Sequence, residues 1–247
     1  MLSFYAGRLP TVELNTTYYG PPSETAVAGW QAAVPDRFLF AVKAHRRIAH
    51  NRRPDDARQA LEAFVRVVDG LGERCGPVLF QVPRTGRYVP GRIESLLPYL
   101  PPGWRVAFQF RHPSWRDSPI LDTLVRMGAA VCHADGEPEP GFAPSGPFIY
   151  LRFRRDAYSP QRLAMWSRRI VAYLAEGRDV FAYFKHETRG PEYAERLVRH
   201  VRSANRRYNP GNFPIGGELN GPVHVAGRDQ LRDGGHPDPD VSGDRGP

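Results

Sequence analysis

Trp104-Arg105-Val106-Ala107-Phe108-Gln109-Phe110-Arg111-His112-Pro113-Ser114-Trp115 is the stretch that decides the architecture. Val106, Phe108 and Phe110 alternate with Ala107, Gln109 and Arg111, which is the two-residue period of a β-strand. His112-Pro113 ends it, because proline carries no N–H for a ladder. Gln109 and Arg111 share one face. An apolar strand therefore carries a polar pair and delivers an Arg and a His at its carboxyl tip.

The same design recurs on both sides of this stretch. Upstream, Thr11 to Tyr19 reads as a strand with Glu13 and Asn15 on one face, followed by a helix capped by Ser23. Phe38 to Ala44 is a strand with Lys43 near its end, then a basic loop holding His45, Arg46, Arg47, His50, Arg52 and Arg53. Pro54 opens a long helix with the apolar stripe Leu61, Phe64, Val65, Val68 and Leu71. Pro77 to Pro83 is a strand ending near Gln81, and Arg92 to Leu100 reads as a helix. Downstream come a helix from Pro119 to Met127, a strand from Ala129 to Asp135 and a loop from Gly136 to Gly146. Pro147 to Arg155 is a strand with Arg152 and Arg154 on one face, and Ser159-Pro160 caps the helix after it. Asp179 to Glu187 is the last strand, and a helix from Glu192 to Ala204 follows. Residues 209–247 lose their large apolar residues and read as a disordered Gly/Pro-rich tail behind a single domain of residues 1–208.

Alternating strands and helices predict parallel strands joined by helical crossovers. The first strand is not followed by G-x-G-x-x-G, so a doubly wound nucleotide fold is disfavoured. Polar residues at the carboxyl ends of several strands favour an α/β fold of the TIM-like (β/α) barrel type. These residues are Asn15, Lys43, Gln81, Arg111 with His112, Asp135, Arg152 with Arg154, and Lys185 with Glu187.

Composition narrows the function. A net charge of +8 points toward polyanionic or phosphorylated partners. Cys75 and Cys132 form no Cys-x-x-Cys pair, no secretory pattern precedes the first strand, and no apolar run is long enough to span a bilayer. A reduced, cytoplasmic protein without membrane contact is expected.

The ordered series VELNTTYYGPP, FLFAVKAHRRIAH, GPVLFQVP, FQFRHPSW, HAD, YLRFRR and YFKHE resembles the domain of unknown function 72 family, the YecE-like proteins, over about residues 11–200. The resemblance implies a TIM-like barrel and no settled activity. Relatives usually begin with a strand carrying a Gly-Thr-Ser-Gly-Trp-like motif, and only MLSFYAGRLP precedes the first strand here. The resemblance therefore implies a barrel lacking its usual first strand. That leaves a gap between Thr11–Tyr19 and Asp179–Glu187, or one filled by residues 1–8. The family's usual Glu before Phe-Arg-His is Gln109, which cannot act as a base. Its common His-Gly is Arg154-Arg155, and its common Asn-Asn-Asp is Lys185-His186-Glu187.

Two classes of function fit. One is a hydrolase acting on phosphoesters, with Glu13 and Asp135 handling protons and Lys43 and His112 beside them. The other is a non-catalytic nucleic-acid-binding module using the same basic mouth. Sugar-phosphate or glycoside chemistry is weaker, because Gln109 removes a partner carboxylate. Ligand contacts are expected from Asn15, Tyr19, Gln81, Gln109, Arg111, Trp115, Arg152, Arg154, Tyr158, Lys185, His186, Glu187 and Arg189. Counting the absent strand as first makes Pro147–Arg155 the seventh and Asp179–Glu187 the eighth, where such barrels often hold phosphate. The phosphate is expected mainly on Arg152 and Lys185, with Arg189 at the rim. A divalent metal is not favoured, since His45, His50, His112, His133, His186, Asp135 and Glu187 lack ligand-type spacing.

Overall fold

The computed structural model describes residues 2–50, 53–116, 119–136, 142–186, 188–208 and 223–227. Its strands form two sheets, each parallel throughout. The first runs β1 (Thr11–Leu14), β2 (Leu39–Lys43), β3 (Cys75–Val82), β4 (Val106–Phe110) and β5 (Ala130–Val131) in that order. The second runs β6 (His133–Asp135), β7 (Ile149–Phe153), β8 (Val180–Phe184) and β9 (Val223–Gly227). Only Cys132 separates β5 from β6, and its N–H still bonds the Phe108 carbonyl of β4 at 2.8 Å. The two sheets are thus joined by one interrupted run of chain, while at the other end β9 lies beside β1.

Helix α1 (Leu2–Ala6) precedes β1, and the helices between strands are α2 (Glu24–Ala32), α3 (Arg46–His50), α4 (Pro54–Val68), α5 (Ile120–Arg126), α6 (Pro160–Ala175) and α7 (Gly190–Tyr208). Two begin where capping chemistry places them. The Ser23 hydroxyl accepts the Ala26 N–H at 3.1 Å, and the Ser159 hydroxyl accepts the Arg162 N–H at 3.2 Å. Helix α6 shows how a helix layer packs on the sheet. Its buried Leu163, Trp166, Ile170 and Leu174 join the core, and Phe153 of β7 meets Trp166 at 5.2 Å between ring centroids.

Several expectations need correction. The strand at Thr11 stops at Leu14, and Thr16–Tyr18 is a 3-10 turn. The Thr17 hydroxyl fixes it, donating to the Lys43 carbonyl at 2.6 Å. The basic loop after β2 contains α3. The segment expected as a helix over Arg92–Leu100 is a 3-10 stretch, Glu94–Tyr99, with Pro98 inside. Residues Leu2–Ala6 are helical and leave the slot beside β1 to β9, which comes from the stretch expected to be tail. The other tail residues lie outside the described residues.

Apolar burial accounts for β9. Val225 is fully buried, and the His224 ring stacks on Phe181 at 4.5 Å between centroids. Burial lowers the His224 pKa to about 4, with the Arg105 charge adding to the effect. The folded state therefore keeps His224 neutral in a range where the unfolded chain is already protonated. The contribution is complete above about pH 6.5, the ordinary histidine value, and is lost as pH falls through about 4. Protection factors of the β9 amides, with the intrinsic pH dependence of exchange divided out, should fall across that window, and His224→Phe should flatten the acid dependence. An unchanged profile in His224→Phe would assign the acid response to other groups.

Candidate functional site

Residues paired in register across parallel strands share a face, so the pairing shows which side chains meet. Glu13 pairs with Ala41, two residues before Lys43; Lys43 pairs with Leu79, two before Gln81; Gln81 pairs with Gln109. On the second sheet Ala134 pairs with Arg152, Arg152 with Tyr183, and Phe181 with His224. Contacts between sheets show that these two faces are one. Arg152 donates to Glu13 and Gln109, the Tyr150 hydroxyl donates to Glu13, and Thr11 and Tyr183 hydroxyls are 3.1 Å apart. Asn15, Arg111, Arg154 and Lys185 continue the same alternation just past their strand ends.

Arg152 is the hub. Only 2% exposed, it donates through Nη2 to Glu13 Oε1 at 2.7 Å and Asn15 Oδ1 at 3.3 Å. Through Nη1 it donates to Gln109 Oε1 at 2.5 Å and Gln81 Oε1 at 3.4 Å. Three strands, β1, β3 and β4, thus supply four acceptors to one guanidinium, whose planar fork suits convergent acceptors. Glu13 is held as fully. Its Oε1 also accepts from Asn15 Nδ2 at 3.2 Å and lies 3.5 Å from Arg154 Nη2, and its Oε2 accepts the Tyr150 hydroxyl at 2.8 Å. Burial and the Glu13 charge, in that order, raise the Tyr150 pKa, so this hydroxyl stays a donor.

Charge on this face is lopsided. Lys43, Arg111, Arg152, Arg154 and Lys185 lie on it, and among the described residues Glu13 is its one carboxylate. Lys43 is buried, with Nζ 3.8 Å from the centre of the Tyr18 ring, a cation–π contact. Arg111 is also buried. Beyond the strand ends, Arg46, Arg47, Arg84, Arg87 and Arg116 are exposed. His45, among them, has a lowered pKa through burial first and then the charges of Arg47 and Arg46.

The other expected site residues are built into different contacts. Asp135 pairs with Phe153 and so sits on the opposite face from Arg152. Its Oδ1 accepts the Arg154 N–H at 2.8 Å and the Tyr158 hydroxyl at 2.6 Å, which fixes the corner after β7. Gly136 lets the two corners nest: at its φ of +78°, a Cβ would stand 2.9 Å from the Arg154 carbonyl carbon. Burial raises the Asp135 pKa, partly offset by the Tyr158 hydrogen bond and Arg155. Glu13 and Asp135 are therefore not a facing pair. His112 turns Nδ1 back to its own loop, accepting the Ser114 N–H at 3.1 Å. Trp115 is fully buried, stacked on Phe110 at 4.4 Å and donating to the Gly86 carbonyl at 2.7 Å, so it is core and not a platform for a base. His186 Nδ1 accepts the Arg189 N–H at 3.0 Å and Nε2 donates to the Asp156 carbonyl at 3.0 Å. Arg189 pairs with Glu192 at 3.0 Å. The Tyr19 carbonyl accepts from His45 Nε2 at 3.2 Å. Glu187 lies outside the described residues. Among the described residues, no three His, Cys, Asp or Glu side chains gather to hold a metal. No helix among them is long and apolar enough to cross a membrane.

Sequence reasoning missed Thr11, Tyr150 and Tyr183, which complete the polar layer. Tyr150 carried a signal, since it stands two residues before Arg152 on the same face.

The fold agrees with that of known relatives. Residues 1–214 match the family described as "Protein of unknown function DUF72", and the chain belongs to that family. Crystal structures of a DUF72 family protein from Enterococcus faecalis superpose with TM-scores of 0.66 and 0.64, at 20% and 18% identity. They cover 86% and 87% of this chain, and 94% and 90% of theirs. A DUF72 family protein from Thermotoga maritima gives a TM-score of 0.56 at 20% identity, covering 81% of this chain and 85% of that one. At such identities the likeness speaks for the α/β fold alone. No curated protein matches the chain in sequence.

Proposed function

We propose that the two sheets close into a (β/α) barrel, with β9 between β8 and β1, and that its carboxyl-end mouth binds a phosphate-bearing ligand. The observation that carries this reading is the excess of five cations over one carboxylate on the shared face. Cations gathered on one face raise the local positive potential and favour an anion among them. Lys43, Arg111, Arg154 and Lys185 are the ligand holders; Arg152 and Glu13 are the frame that supports them. Binding is favoured over phosphoester hydrolysis, because Glu13 is occupied by Arg152, Asn15 and Tyr150, and Asp135 faces the other way.

The exposed arginines of the mouth support a nucleic acid as ligand. Arg46, Arg47, Arg84, Arg87 and Arg116 all follow strand ends and extend the positive surface past what one phosphate group needs. Calorimetric titration with orthophosphate and with a short single-stranded oligonucleotide is the test. Both should bind, the oligonucleotide more tightly and with a steep loss as salt rises. Failure of both ligands at low salt would overturn the reading. Orthophosphate binding with no gain for the oligonucleotide would restrict it to small phosphorylated molecules.

A further inference from the structure

Arg152 does more than neutralise Glu13. A guanidinium only donates, so the amide atom facing it must be oxygen. Both Gln109 and Gln81 turn Oε1 toward Nη1, at 2.5 and 3.4 Å. Each amide therefore turns its NH2 group away from Arg152. These glutamines stand side by side, in register on neighbouring strands, and both are buried on the face that carries Lys43 and Arg111. A carboxylate at either place would satisfy the same Arg152 hydrogen bond. It would also bring a second negative charge to the shared face. An amide keeps the bond and leaves the cation excess whole.

We infer that Gln109, seconded by Gln81, is a specificity-determining residue: its amide keeps the mouth selective for anions. The inference rests on the anion-binding reading and names the device within that site. It separates two properties that a structural residue moves together. A carboxylate beside Arg152 strengthens the frame while weakening the ligand.

The test is Gln109→Glu, nearly the same in shape, measured at pH 7 by orthophosphate titration and thermal unfolding. The expected result is at least a tenfold weaker Kd with an unchanged or higher Tm. Gln81→Glu should act in the same direction and less, in keeping with its longer bond. Wild-type and Gln109→Glu proteins binding phosphate equally would overturn the inference and leave the binding reading standing. A fall in both Tm and affinity would make Gln109 a structural residue and overturn it as well. Absence of wild-type binding would overturn the site reading itself.

Discussion

Replacing Arg152 with methionine is expected to destabilise the fold by about 3–5 kcal/mol, the usual cost of removing one partner from a buried ion pair. The replacement leaves Glu13, whose side chain is 6% exposed, with its charge facing Tyr150, Asn15 and the more distant Arg154. It also strips the Gln109 and Gln81 oxygens of their shared donor. For a domain of this size the change corresponds to a fall in Tm of roughly 10 °C or more. Adding Glu13→Gln to Arg152→Met should restore part of the loss, since the uncharged amide no longer needs the guanidinium. Urea denaturation of the four proteins in this cycle measures both effects. A loss below about 1 kcal/mol for Arg152→Met would mean that the residue is not the frame of the site.

Ending the chain at Tyr208 is expected to have an effect of similar size by a different mechanism. It removes β9, which pairs with β8 from Val180↔Val223 to Phe184↔Gly227. Burial of Val225 contributes about 1.5–3 kcal/mol, and each ladder hydrogen bond about 0.5–1.5 kcal/mol. The shortened protein also exposes the free edges of β8 and β1, which invites pairing between chains. A lower Tm and concentration-dependent self-association are expected in light scattering. Val225→Asp in the full chain should reproduce the lower Tm, because a charge cannot be accommodated at a fully buried position. A truncated protein that stays monomeric and equally stable would show that β9 adds nothing to the sheet.

Much of the fold was readable because period and punctuation agree along most of the chain. Phe38 to Ala44 and Asp179 to Glu187 are apolar runs between turn residues, and Ser23 and Ser159 mark true helix starts. The errors have local causes. Thr16-Thr17-Tyr18 has strand composition, yet a tertiary bond from Thr17 to the Lys43 carbonyl turns it. Val223-His224-Val225 does alternate, but five residues surrounded by Gly, Pro and Asp give little periodic signal. Their partner, Phe181, lies about forty positions earlier in sequence.

The site was legible as a list and not as an arrangement. Alternation correctly put Glu13 and Asn15 together, and Arg152 with Arg154. It could not show that Arg152 faces inward onto four acceptors, which depends on register between strands distant in sequence. Asp135 illustrates the same limit. It ends a strand, as expected, but its parity follows Phe153, so it braces the Arg154 corner through Tyr158.

The most direct test of the central claim is to soak crystals with selenate, a phosphate-shaped anion, and locate it by the anomalous scattering of its selenium. An ordered peak is predicted on the shared face at the carboxyl ends of the strands, within reach of Lys43, Arg111, Arg154 and Lys185. A peak confined to the exposed arginines of α3 and the neighbouring loops, or no ordered peak, would contradict the account.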